Sequence, residues 1–215
     1  MKNKGISIVI VLLLAINAVY SQKTDATAIL DKTIQKYNDF ATGMEIGFAA
    51  NIRSPQNNIS ESFEGTLLIK GDKLLLTTPD ALSWFNGETL WTYMPRTQEV
   101  NVSNPGGSDL QSINPLLFLQ NYKKEFNVSY IGESTSSNNR MAYDIALIPK
   151  RKDGIEKIEL QIEKSTFLPS KIVMTMENDI RNNITVKEIK SVNVPDTKFV
   201  FPEKEFPDAE IVDLR

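Results

Sequence analysis

The chain contains neither histidine nor cysteine. The first absence removes the usual general base near neutral pH and the commonest zinc ligand; the second removes the thiolate nucleophile, the disulfide and the thiol that would carry a lipid anchor. Ser-His-Asp and Cys-His catalysis are thereby excluded, which leaves carboxylate-pair hydrolysis as the open chemistry. Asp80, Glu88 and Asp109 sit near turns where an acid and a nucleophile could meet. Among 27 acidic residues such pairs arise in any case, and solvated loop carboxylates far outnumber catalytic ones. Glycine-rich phosphate loops and calcium loops are missing too: Lys70-Gly71-Asp72-Lys73 and Asn104-Pro105-Gly106-Gly107 are turn sequences without the flanking helix or ligand spacing such sites need. The expectation is a protein with no cofactor, no metal and no enzymatic activity.

Long apolar runs are scarce. The one at residues 6–18 follows Lys2 and Lys4, is too short for a span of about 20 residues, and leads into small and polar residues. It reads as a signal peptide, with cleavage expected after Ser21, so that residues 22–215 form one mature domain in a periplasm-like space. Taking Lys2 and Lys4 away lowers the basic count from 24 to 22 against 27 acidic residues, a net charge of −5. With its Lys and Arg scattered among carboxylates, such a chain attracts neither nucleic acid nor an anionic membrane. A soluble monomer is expected.

What is present is periodicity. Thr24 or Asp25 caps a helix running to about Phe40, with Ala26, Leu30, Ile34 and Tyr37 at helical spacing and Gly43 as the stop. Strands are expected from Met44 to Ile52 and from Phe63 to Lys70, with Phe63, Leu67 and Ile69 on one face, and then at Leu74 to Thr78. Asn86-Gly87 between Ser83-Trp84-Phe85 and Thr89-Leu90-Trp91-Thr92-Tyr93 predicts a type I′ hairpin. Another strand follows at Glu99 to Val102. Asn114-Pro115 then opens a second helix carrying Leu116, Leu117, Phe118 and Leu119 in a row, more apolar surface than one sheet face requires. From Phe126 onward, alternating strands resume up to Ile184 and Val186. About ten short strands with two helices and no βαβ rhythm make a mainly β meander, whose long sheet closes on a core or opens around a cavity. Trp84, Phe85, Trp91 and Tyr93 offer an aromatic platform, though aromatics alternating in a strand are more often core.

The ordered set Gly65-Thr66-Leu67-Leu68-Ile69-Lys70, Asn86-Gly87-Glu88-Thr89-Leu90-Trp91-Thr92-Tyr93-Met94-Pro95, Gln98-Glu99-Val100, Asn114-Pro115 and Phe199-Val200-Phe201-Pro202 resembles the outer-membrane lipoprotein carrier family, LolA. The resemblance covers almost all of residues 22–215. It implies an incomplete, unclosed antiparallel β-barrel, a strongly curved sheet with helices over its open side and an apolar cavity. It further implies a periplasmic carrier that takes acylated lipoproteins from an inner-membrane ABC-type lipoprotein-releasing complex toward an outer-membrane acceptor. Where the better-known branch of the family has arginine and then proline after the strand lysine, this chain has Gly71-Asp72, which leaves the lid contacts and the acceptor open. Candidate cavity residues are Leu67, Ile69, Leu75, Leu116, Leu117 and Leu119. The alternative from another class is an envelope module that senses lipids or lipoproteins without transporting them.

Overall fold

The computed structural model describes residues 25–56, 58–106, 114, 117–152 and 154–215. The expected signal peptide and its cleavage point, Pro115 and Leu116 lie outside these residues. Twelve described strands form one sheet that does not close on itself: β1 (Met44–Ser54), β2 (Ile59–Lys70), β3 (Lys73–Thr77), β4 (Leu82–Phe85), β5 (Leu90–Met94), β6 (Glu99–Ser103), β7 (Phe126–Thr135), β8 (Met141–Pro149), β9 (Ile155–Glu163), β10 (Pro169–Met176), β11 (Arg181–Ser191) and β12 (Glu210–Asp213). Their order is β12-β6-β5-β4-β3-β2-β1-β11-β10-β9-β8-β7. Two antiparallel meanders thus meet where β11 pairs with β1, and β12, which the sequence pattern did not announce, joins β6 in parallel at one edge. The fold is the open, curved β structure with helices that was expected.

Curvature has identifiable causes along one row. A bulge between Gly47 and Phe48 leaves Lys187 of β11 unpaired, and bulges bend and twist the strands that carry them. On the other side of β1, Phe48 pairs with Gly65. A Cβ at Gly65 would lie 2.6 Å from Phe48 Cζ and 2.7 Å from the Thr77 carbonyl oxygen. Only glycine lets the aromatic ring and the β3 backbone approach this closely, so this glycine of the family motif marks a bend of the sheet.

Helix α1 (Ala26–Asn38) is capped by Asp25, whose carboxylate accepts from the Thr27 amide at 2.9 Å. It buries Ala26, Ile29, Leu30 and Thr33 and ends slightly before the expected Phe40. Helix α2 (Phe118–Glu125) starts later than Asn114-Pro115 suggested, with Leu117 in the capping position, and buries Phe118, Leu119 and Tyr122. Both helices pack on the inner face of β7 to β10, against Ile145, Leu147, Ile158, Leu160 and Ile162. Among the described residues no helix is long and apolar enough to cross a membrane.

One expectation is corrected. The β4–β5 turn is not type I′, which needs φ > 0 at both central residues; Gly87 has φ +103 but Asn86 is not in that region. Instead the Asn86 side chain accepts from the Glu88 and Thr89 amides at 2.9 and 2.8 Å, and the loop closes through Asn86 N–H to Thr89 O. The aromatics of this hairpin pack as core rather than as a platform, the reading preferred from their alternation, and alternation divides them between the faces. Phe85 packs on the inner face with Leu74 and Leu90. Trp84, Trp91 and Tyr93 lie on the outer face, where Phe201 and Phe206 of the C-terminal segment cover Trp84 at ring distances of 5.4 and 5.8 Å.

Candidate functional site: the inner trough

The inner face is filled unevenly. Over β7 to β10 the two helices complete a packed core, whereas over β1, β2, β3 and β11 a second apolar cluster is less fully covered, with Phe63, Ile69, Leu76, Ile184 and Ile189 only partly buried. A cleft of about 140 Å³ remains there, walled by Ile46, Phe48, Ala50 and Ile52 of β1, Phe63 and Leu67 of β2, Leu76 of β3, and Ile184, Val186 and Ile189 of β11. Tyr37 from the last turn of α1 roofs it. A second, larger cleft of about 390 Å³ lies beyond, between Ile34, Tyr37 and Phe40 on one side and Met44, Ile69, Leu117 and Leu119 on the other. Tyr37 belongs to both walls, so the two clefts adjoin beneath the C-terminal end of α1.

The alternating pattern of β1 explains the apolar floor: Met44, Ile46, Phe48 and Ala50 are buried at every second position, and period two puts them on one face. Register then aligns Ile46 with Leu67 and Ile189, and Ala50 with Phe63 and Ile184. An apolar hollow of about 150 Å³ lined by such residues stays dry and accepts a small apolar molecule. The first cleft is close to that size, and past Tyr37 it adjoins the second.

The helices over this trough are tied to each other by one polar cluster. The Tyr122 hydroxyl lies 2.9 Å from Asp31 Oδ1 and 3.1 Å from the Thr27 carbonyl oxygen, and Lys123 Nζ donates to Asp31 Oδ2 at 2.8 Å. The hydrogen bond from Lys123 holds the Asp31 carboxyl below its ordinary range, while burial and then the bond to Asp31 push the Tyr122 hydroxyl up. A second polar cluster fastens the C-terminal segment to the β2–β3 hairpin. Asp196 pairs with Lys70 at 2.9 Å and Lys73 at 2.5 Å, and these bonds lower its carboxyl to about 2. Lys70 also donates to the Val194 carbonyl at 2.8 Å.

Of the residues singled out from sequence, Leu67 stands on the first cleft, and Ile69, Leu117 and Leu119 on the second. Leu116 lies outside the described residues. Leu75 is corrected: it pairs with Leu68 and Trp84 and packs on the outer face, because its neighbours Leu74 and Leu76 take the inward positions and alternation sends it the other way. The β1 and β11 walls and Tyr37 were missed, although period two from Met44 to Ile52 already carried the signal for the floor. Among the described residues no group of three or more acidic side chains could hold a metal.

Comparison with known proteins agrees with this architecture. A structure of an uncharacterised conserved protein from Thermus thermophilus superposes with a TM-score of 0.59 at 16% identity, over 87% of this chain and 98% of that one. A LolA superfamily protein, NE2245 of Nitrosomonas europaea, superposes with a TM-score of 0.46 at 14% identity, over 82% of this chain and 97% of that one. In sequence, an uncharacterised protein of Methanocaldococcus jannaschii, MJ0687, is 25% identical over 187 residues; they make up 84% of this chain but only 52% of the relative, so the chain spans about half its length. The profile of the family described as outer membrane lipoprotein carrier protein LolA matches residues 17–178. Three quarters of the sequence fall within that match, and the chain belongs to the LolA family of outer membrane lipoprotein carrier proteins.

Proposed function

We propose that this protein is a periplasmic carrier that receives acylated lipoproteins from an inner-membrane ABC-type releasing complex, shields their acyl chains in the inner trough and moves them toward the outer membrane. It works by binding and performs no chemistry on its cargo. The observation that carries this reading is the pair of adjoining clefts on the inner face, apolar along β1, β2 and β11 and roofed by helices that are tied mainly to the other half of the sheet.

Transfer energetics supply the rest. Each methylene removed from water contributes about 0.8 kcal/mol, so a dozen methylenes favour the trough by roughly 10 kcal/mol. A carrier must also let go. The first cleft is too small for a whole chain, and loading requires α1 and Leu117 to shift away from the sheet. The work of separating them offsets part of the transfer energy and keeps the binding reversible.

Native mass spectrometry of protein isolated from its own envelope fraction tests the proposal. The expected result is bound acylated peptide or lipid, displaced by a fluorescent acyl probe in competition. Protein that carries no lipid and binds no acyl probe refutes the reading. Protein that binds lipoprotein but never yields it to outer-membrane vesicles is a sensor and not a carrier.

A further inference from the structure

Two polar atoms in the wall of the apolar cleft have no partner. The Tyr37 hydroxyl and Asn182 Oδ1 are buried and form no hydrogen bond among the described residues, and both residues line the first cleft. The other hydroxyl-bearing residue of that wall, Thr78, is satisfied, bonding the Ala81 carbonyl and accepting from the Ala81 amide. So is the tyrosine of α2, whose hydroxyl is shared between Asp31 and Thr27. Buried polar groups in folded proteins are overwhelmingly paired, and an orphan is costly. A cleft shaped for hydrocarbon alone would be better served by phenylalanine and leucine at these two positions.

Their placement is consistent with one ligand touching both. Tyr37 packs against both inner clusters, as does Ile184 of β11, and both line the first cleft. Asn182 stands two residues along the same strand face, a step of roughly 7 Å. The third orphan, Asn183 Oδ1, belongs to the opposite face of β11 and has no part in this cleft. Burial pushes the Tyr37 hydroxyl far above its ordinary range, so it remains a neutral donor.

We propose that the cleft recognises the carbonyl linkage of an acyl chain, ester or amide, with the Tyr37 hydroxyl donating to the carbonyl oxygen and Asn182 Oδ1 accepting from the N–H where the linkage is an amide. This rests on the lipid-carrying reading of the trough and adds the part of the lipid that is read. Hydrocarbon supplies affinity without discrimination, because every methylene is alike. A carbonyl near the head of the chain fixes how far the chain enters and separates acylated molecules from other apolar solutes.

The test uses three probes of equal length and fluorophore, carrying an ester, a secondary amide or only hydrocarbon at the same position. The parent protein is expected to bind ester and amide about tenfold more tightly than hydrocarbon, the worth of one well-made buried hydrogen bond. Tyr37→Phe should abolish that preference and not lower Tm, since the hydroxyl it removes has no partner among the described residues. Asn182→Leu should weaken the amide probe alone, since only that probe offers an N–H to Oδ1. Displacement by a diacylated lipopeptide or by phospholipid, run separately, supports the linkage in either case and tells protein-linked chains from free lipid. Equal binding of all three probes by the parent, or a preference that survives Tyr37→Phe, overturns the inference and leaves the acyl cleft standing. A fall in Tm with Tyr37→Phe overturns it as well, by showing that the hydroxyl already has a structural partner. If no probe binds, the carrier reading falls, and this inference with it.

Discussion

Removing one oxygen, in Tyr122→Phe, should loosen the helix pair without touching the trough. The hydroxyl lies 2.9 Å from Asp31 and 3.1 Å from the Thr27 carbonyl, while the ring stays buried against α1 and β7. Hydrogen bonds to a charged group contribute about 1.5–3 kcal/mol. Asp31 has a side chain 43% exposed and keeps Lys123 as a partner, so solvent screening reduces this to about 1–2 kcal/mol. For a domain of this size that is a fall in Tm of about 2–8 °C. Lys123→Ala, which removes an exposed ion pair, should cost less than about 1 kcal/mol. Asp31→Asn combined with Tyr122→Phe should show coupling, the double variant being less destabilised than the two single effects added. Because the cluster joins α1 to α2, the same variants should load an acyl probe faster in stopped flow, with little change in the number of probes bound. Acid has the same direction. The Asp31 carboxyl is depressed in the folded protein, so its contribution is complete above the unfolded value of about 3.9 and is lost as pH falls through the lower folded value. A Tm unchanged by Tyr122→Phe, or single effects that simply add, would refute the assignment of this cluster as the fastening of the helices.

Three further outcomes are expected. Gly65→Ala should destabilise the fold by about 1–3 kcal/mol in urea titration, since the new methyl meets the Thr77 carbonyl as well as the mobile end of Phe48; a neutral result would mean the sheet is not bent there. Leu117→Glu should fold normally by circular dichroism but lose most of its affinity for an acyl probe, because Leu117 is only half-buried in the empty second cleft and its carboxylate would face hydrocarbon in the loaded one; undiminished binding would remove Leu117 from the site. Asp196→Asn should speed hydrogen exchange across residues 192–206 and remove the part of acid unfolding that falls between pH about 4 and about 2, where the parent carboxylate loses Lys70 and Lys73; identical acid profiles would show the cluster to be inert.

The hairpins were legible because turn residues and alternation coincide: Gly71, at φ +60, lies between Lys70 and Lys73 just where the apolar pattern pauses. The phase of a strand was legible only when polar residues mark it. In β1 they do, and the inward set could be written down from Met44 to Ile52. In Leu74-Leu75-Leu76 nothing distinguishes the faces, and the register with β2 and β4 alone decides that Leu75 looks outward. The Asn86 turn failed for a related reason, since Asn-Gly is compatible with a two-residue turn or with an asparagine side chain closing a longer one, and the sequence shows no preference. Strand β12 has four residues, and its two apolar ones, Ile211 and Val212, are adjacent, so it shows no alternation; its pairing comes from the segment before it, anchored by Phe199, Phe201 and Phe206. Tyr37 was legible as a helix residue and not as a cleft residue, because a tyrosine on an apolar stripe looks the same whether its hydroxyl is paired or idle.

The meeting of β1 with β11 also sets the order in which this chain can mature. Strands β1 to β6 are joined by short turns and can zip up as they emerge, as can β7 to β11, but Met44 must wait for Ser191 and Arg53 for Arg181. Until then β1 presents a bare edge, carrying the apolar inward row Met44, Ile46, Phe48 and Ala50, to whatever is nearby. Pairings this distant along the chain form late. The trough is built on that seam, so a partly made chain has no trough, and the trough is completed only near the end of folding. Under the proposed carrier function, that timing keeps the half-formed chain from taking up lipid, and it makes the β1 edge the place where a holding chaperone would do the most good.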